Sequence, residues 1–397
     1  MAHRTPELAT VLAAAQRARS GITSVVTIEG EPGIGSSWLV RQAALELGDF
    51  EIVDRVAAAS SRPSLLVIDD AHELLADEAE ALYREVSTAR GTPLLVIVAG
   101  RSPSPLIEAL KPASARADRG AVIELRGLSA SQTIEMAAEH GIAALDATRA
   151  DLLTQLTDGN PLHLEAAFRV LGQRLHVSVP SELPVPANFA RELSDQLTTI
   201  DRPGNTLLEL LSVVDAPIAR TSLFEIGERL GEPVSADEPV SRGLVGASDE
   251  LGQRELFIHS ARVRSGIRRS MNPSRARQLH GAIAQSMVGP QRLEHRLAAT
   301  EASDDELGAE LEAEANACAG HGRYSDAARF FSKASGVSSE RANRERRLLR
   351  AAAFAFYSDD AELASSLSPN VSRCSPSLLR DLTPAASAIC SVTFSKL

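Results

Sequence analysis

The chain has 397 residues, enough for two or three domains each with its own core, and a formal net charge of −11. That balance argues against nucleic-acid binding by the surface as a whole and confines any such contact to a local basic patch. The three cysteines, Cys318, Cys374 and Cys390, form no C-x-x-C pair, and no apolar run reaches a membrane-spanning length; a reducing, cytoplasmic setting with no membrane partner is expected.

Thr5-Pro6-Glu7 opens a helix with a hydroxyl cap, a first-turn proline and an early acid, and the helix should run to about Arg19. The β-branched run Ser24 to Glu29 leads directly into Gly30-Glu31-Pro32-Gly33-Ile34-Gly35-Ser36-Ser37, after which Ser36 to Leu47 reads as helix. Continuous apolar runs at 65–68, 94–99 and 121–125 suit strands of a sheet buried on both faces. Phe50, Val53, Val56 and Ala57 recur at helical spacing, which predicts a helix at about 51–60 and a sheet lacking one strand there; the alternative, a short strand at 51–56, leaves too few residues for a helical crossover. Ser129-Ala130-Ser131-Gln132 is a capping box, and Asp158-Gly159-Asn160-Pro161 a turn before a helix from about Leu162 to Leu175.

Pro180, Pro184 and Pro186 mark a linker. Helices at about 187–199, 204–213 and 221–230, then two β-like runs around Gly252, are the parts of a winged helix. From Pro273 onward the chain is helical and Ala-rich, and Gly322, Tyr324, Ala327, Phe331 and Ala334 match the second half of a tetratricopeptide repeat. The expected fold is α/β and then mainly α. Its parts are a P-loop parallel-sheet core (1–128), a helical lid (129–178), a linker (179–186), a winged-helix-like domain (187–272), helical repeats (273–368) and a tail (369–397).

The glycine loop follows a strand and opens a helix, as G-x-x-x-x-G-K-[ST] does, except that Ser36 stands where lysine belongs. Backbone N–H groups of Gly30, Gly33, Ile34, Gly35, Ser36 and Ser37 suit a phosphate cradle. Ser37 and Asp69 are placed to hold Mg²⁺ through a bound nucleotide, Asp70 to polarise water, and Arg101 to sense a terminal phosphate. The bland readings are a glycine-rich turn, acids starting a turn and a solvated arginine. Strand order and the joint occurrence of these motifs favour the site. His72 reads as a packing residue and Arg41 as a poor substitute for the lysine. The most basic stretch, Arg262, Arg264, Arg268, Arg269, Arg275 and Arg277, fits a DNA contact or a solvated helix face.

GEPGIGSS, LLVIDDAH, LLVIVAGR and DGNPLHLE, in that order, resemble the nucleotide-binding module of STAND ATPases, a branch of the AAA+ class, and above all the large ATP-binding LuxR-type transcription regulators of actinobacteria. His3-Arg4 with Glu7-Leu8, and His259 with Val263-Arg264 and Ile267, resemble the start of that module and a stretch of its winged helix. The resemblance covers about residues 1–360. It implies ATP or ADP with Mg²⁺ as cofactor, Pro161 on the adenine side, an inducer or protein partner at the repeats, and self-association as an open possibility. Two departures stand out. Ser36 implies weak binding and negligible turnover, and the missing helix-turn-helix after the repeats implies a truncated product and no DNA binding by this chain without an output domain. The alternative is a non-enzymatic helical-repeat interaction protein with a decayed ATPase core.

Overall fold

A computed structural model describes residues 4–376, apart from 57–61, 90, 117, 143, 144, 177, 181, 215, 251, 252 and 359. Its first part is α1 (Thr5–Arg19), β1 (Ser24–Glu29), α2 (Ser36–Glu46), β2 (Glu51–Val53), β3 (Ser64–Ile68), α3 (Ala76–Thr88), β4 (Leu94–Gly100), α4 (Pro105–Ser114) and β5 (Gly120–Glu124). The strands form one parallel sheet in the order β2-β3-β4-β1-β5, with Val26 of β1 level with Ile97 of β4 and Ala121 of β5. Every residue of β1 and β4 is buried because both faces are covered. On one face Val11, Ala14 and Ala18 of α1 and Leu39, Val40 and Ala43 of α2 meet Val26, Ile28, Leu65 and Ile97. On the other, Ala79 and Val86 of α3 and Leu106, Ile107 and Leu110 of α4 meet Val25, Leu66, Val96 and Val98. Each such large aliphatic side chain contributes on the order of 1.5–3 kcal/mol by leaving water.

Two local expectations fail here. The helix expected at 51–60 is instead the edge strand β2, pairing parallel with β3 through Glu51↔Ser64, Ile52↔Leu65 and Val53↔Leu66, and residues 57–60 lie outside those described. The core shows why the periodicity misled. Phe50 and Val53 enter the clusters on opposite faces of the sheet, as an odd spacing along a strand requires, whereas a helix would put both on one face. Ile52, at the edge, is 70% exposed. At the start of the chain, Arg4 rather than Thr5 takes the N-cap position of α1, and Thr5 is the first helical residue.

Next come α5 (Ala130–Glu139), α6 (Ala147–Thr157) and α7 (Pro161–Leu171), packed through Met136, Leu153, Leu164 and Phe168. The Ser129–Gln132 capping box is present, with the Gln132 N–H donating to Ser129 Oγ at 3.3 Å and the Ser129 N–H to Gln132 Oε1 at 2.9 Å. α7 stops at Leu171, short of the expected Leu175, where Gly172 takes φ 51° and a 3-10 turn follows.

α8 (Ala187–Thr198) crosses the division between two compact units. One holds the residues up to Leu193 together with Ser260–Ser265; the other holds Ser194–His259 and everything from Gly266. The second unit contains α9 (Arg202–Val213), β6 (Ile218–Ala219), α10 (Arg220–Leu230), α11 (Asp237–Ser241), β7 (Val245–Glu250) and β8 (Gln253–Ile258). Its strands form an antiparallel sheet in the order β6-β8-β7. The helices grouped with this hairpin are therefore α9, α10 and α11. β6 and α11, two and five residues long, are too short to leave a periodic signal.

α12 (Ala261–Ser270), α13 (Pro273–Ala284), α14 (Gly289–Ala299), α15 (Asp305–Gly320), α16 (Tyr324–Gly336), α17 (Arg341–Tyr357) and α18 (Ala361–Val371) complete the chain's described part. Gly322, at φ 75°, turns α15 into α16, and Ala327, Phe331 and Ala334 are fully buried. Phe331 lies parallel to Phe354, with ring centroids 5.5 Å apart. Of the expected tail, 369–371 belong to α18, and 377–397 lie outside the described residues.

Candidate nucleotide-binding site

β1 leads into α2 on one face of the sheet and β4 into α4 on the other. Because β1 and β4 are neighbours, a crevice opens between their carboxyl ends, which is where open α/β sheets bind ligands. The glycine loop and Arg101 leave from those two strands, and Asp69-Asp70 from β3 beside them. The Gly30 N–H donates to Gly100 O at 3.2 Å, so the two loops start in register.

The loop is shaped by glycines at φ 77° (Gly33) and 102° (Gly35), conformations that a side chain resists. Gly33 is also a close approach, since a Cβ there would lie 2.7 Å from Leu162 Cβ. α2 begins at Ser36 with no side-chain cap, as α1 and α4 also do, but unlike them it has no acid in its first turn. The first-turn N–H groups of Ser36 and Ser37 thus lack a side-chain acceptor, as an anion site requires. The Ile34 N–H, by contrast, donates to Glu31 O at 3.1 Å, and its side chain is buried in the core beneath the loop. Ile34 is an anchor as much as a donor. The Arg41 side chain folds back onto Ser37 O of its own helix at 3.1 Å, so it does not replace the lysine.

Asp69 and Asp70 are both exposed, and among the described residues neither enters an ion pair. Asp70 takes φ 53°, a left-handed conformation that aspartate tolerates, and its N–H donates to Asp69 Oδ1 at 3.1 Å. The turn is held by Ala71 N–H to Ala99 O at 2.9 Å and by Ser104 Oγ to Ala71 O at 3.0 Å. Arg101 is paired with Glu192. It directly follows β4, and its charge is engaged. Among the described residues no three His, Cys, Asp or Glu side chains cluster as metal ligands. A divalent ion at Ser37 and Asp69 would need phosphate oxygens to complete its shell.

Of the residues that fix this loop, Asn160 and Pro161 belong to the expected motif set, whereas Arg4 and Arg262 were not singled out for it by the sequence. Arg4, buried at the start of α1, donates to Ile34 O at 3.1 Å and Arg126 O at 2.6 Å, tying the loop to the chain after β5. Asn160 Nδ2 donates to Pro32 O at 2.9 Å and the Leu162 N–H to Gly33 O at 3.3 Å, so the start of α7 clamps the loop directly. Pro161 is the buried first residue of α7 at this clamp. Arg262 is 5% exposed; its Nε meets Asp158 Oδ2 at 3.2 Å, and Nη2 reaches Glu31 of the loop. Asp158 also accepts from Ser260 Oγ at 2.6 Å and from the Ala261 N–H at 3.4 Å, while itself at φ 51°. Beside them His163 stacks edge-on against Phe189, its Nε2 buried without a partner. Burial, aided by the Arg262 charge, lowers its pKa to about 4.

Four of the six arginines in the basic stretch are engaged by other groups of the chain. Besides Arg262, Arg268 donates to Ser212 O at 2.8 Å, Arg275 pairs with Glu209 and Glu232 at 2.8 Å, and Arg277 pairs with Glu301.

No family model matches the chain, and no curated protein matches it. Among solved structures it is similar to a Signal Transduction ATPase with Numerous Domains carrying a tetratricopeptide repeat sensor, from Pyrococcus horikoshii. The identity is 14% over 93% of this chain and 64% of that one, with a TM-score of 0.29. It is also similar to the ORC2 protein of Aeropyrum pernix in its ADPNP–ADP complexes (12% identity, 73% and 96% covered, TM-score 0.44). A third is RuvB of Thermotoga maritima (17%, 64% and 91%, 0.35). The chain spans 64% of the length of the first of these proteins. At such identities the likeness does not reach the chemistry of the site.

Proposed function

We propose that the chain is a nucleotide-binding signalling module of the STAND branch of the AAA+ class, of the kind used by LuxR-type transcription regulators. It takes ATP or ADP with Mg²⁺ weakly and hydrolyses little or none. The observation that supports this reading is an uncapped glycine loop at the sheet's crevice, beside an exposed aspartate pair, with serine at position 36. In this role the N–H groups of Gly33, Gly35, Ser36 and Ser37 receive phosphate oxygens, and the Ser37 hydroxyl and Asp69 hold the metal. Asp70 orients water, and Arg101 answers to the terminal phosphate once released from Glu192. When bound, the nucleotide supplies the phosphoanhydride whose presence or loss is the signal. Left uncompensated, one missing hydrogen bond to a charged group costs on the order of 1.5–3 kcal/mol, about ten- to a hundredfold in affinity. Turnover suffers more, because the lysine acts on charge that develops in the transition state.

Phosphate release from Mg-ATP tests the catalytic half, and the expected rate is that of buffer. Family-like turnover that disappears in Asp70→Asn would overturn it. A second reading, a helical-repeat interaction protein, is favoured by the exposed aromatic group of Tyr324, Phe356 and Tyr357 on α16 and α17. Absence of nucleotide binding at millimolar concentration would select it.

A further inference from the structure

We infer that Arg262 supplies the loop with the positive charge that Ser36 withholds, exchanging from Glu31 to a bound phosphate. The inference rests on the nucleotide-binding reading above. Other cations around the loop are committed elsewhere. Arg4 holds two backbone carbonyls, Arg41 lies on its own helix, and Lys111 pairs with Glu29 and Glu108. Arg262 alone among these is bound directly to a side chain of the loop.

Its two carboxylate partners differ in kind. Asp158 accepts from Ser260 Oγ, the Ala261 N–H and Arg262 Nε, and so fixes the base of the guanidinium. Glu31 is 67% exposed and forms no other ion pair among the described residues, so its hold on Nη2 is screened by water. Asp158 is therefore the hinge and Glu31 the exchangeable partner. A phosphate carries more charge than a carboxylate and matches the guanidinium fork, so it can displace Glu31 while Asp158 keeps its grip. A second group points the same way. His163 Nε2, 4% exposed by residue and without a partner, packs with Arg262 on the Phe189 ring, whose centroid lies 5.7 Å from the guanidinium carbon. A buried ring nitrogen without a partner leaves room for a polar ligand, and the buried cation beside it favours an anionic one.

Mg-ADP binding by the full chain, measured by calorimetry on four proteins, tests this: wild type, Ser36→Lys, Arg262→Gln and the double variant. Arg262→Gln should weaken binding about ten- to a hundredfold. Ser36→Lys should restore most of that loss in the Arg262→Gln background and change wild-type affinity far less, a non-additive pattern. Glu31→Gln, at an exposed position that tolerates change, should strengthen binding only when Arg262 is present. Equal gains from Ser36→Lys in both backgrounds, or no response to Glu31→Gln, would overturn the exchange. Wild-type binding with Arg262→Gln unchanged would overturn it and leave the nucleotide reading standing. No binding by either wild type or Ser36→Lys would overturn both.

Discussion

The helical array of the second unit and the phosphate loop of the first treat charge in opposite ways. In the array, Glu312 is met by Arg346, Arg347 and Arg350, and Glu310 by Arg292 and Arg296. Around the loop, Asp69 and Asp70 are exposed without ion pairs among the described residues. The Glu310 and Glu312 carboxylates are saturated within the chain. Groups left open at the end of a rigid sheet are available to something that is not the chain, which is the physical content of calling the crevice a site.

The largest expected effect lies in the array. Phe331→Ala removes a fully buried ring stacked on Phe354 and should cost about 3–5 kcal/mol in denaturant unfolding, with nucleotide affinity of the folded protein unchanged. Next come two acid-sensitive contributions in separate pH windows. Glu312 is held down to about 2 by hydrogen bonds from Arg346 and Arg347. Its contribution is full above its ordinary value near 4.5 and is lost as pH falls towards 2. His163 is held neutral down to about 4, so its contribution is full above about 6.5 and is lost between there and 4. Glu312→Gln should flatten the lower window and His163→Gln the upper one, each by up to about 3 kcal/mol, read from pH-dependent unfolding. If either variant flattened both windows, the separation of the two regions would fail.

Gly33→Val should cost about 1–3 kcal/mol, because φ 77° is strained for valine and its Cβ would press on Leu162. Nucleotide binding should fall more than tenfold. Smallest in stability are Asp69→Asn and Asp70→Asn, within about 0.5 kcal/mol at these exposed positions. Asp69→Asn should nonetheless remove the Mg²⁺ dependence of nucleotide binding. A large stability loss there would mean that the aspartates serve the fold.

What could be read from the sequence was what is local or continuous. The strands β1, β3 and β4 announce themselves because burial on both faces demands unbroken apolar runs, and the Ser129 cap because its partner is three residues away. β2 is hidden because an edge strand of three residues has no run to show, Phe50 and Val53 happen to repeat at helical spacing, and a strand there leaves only a short connection to β3. The site divides similarly. Loop, acid pair and Arg101 lie at strand ends and carry motif signals. Arg4 to Ile34, Asn160 to Pro32 and Arg262 to Glu31 join positions 30, 128 and 231 apart, and no spacing rule reaches across them. Arg262 even carried a misleading signal, since its arginine neighbours suggested a surface patch while burial and Asp158 turn it inward.

The central claim is that the loop remains a phosphate site although its lysine is gone. Calorimetric titration of wild type and Gly33→Val with Mg-ADP tests this most directly. The account predicts saturable, Mg²⁺-dependent heat in the wild type that disappears in Gly33→Val. No saturable heat in the wild type at millimolar nucleotide, or identical curves for the two proteins, would contradict it.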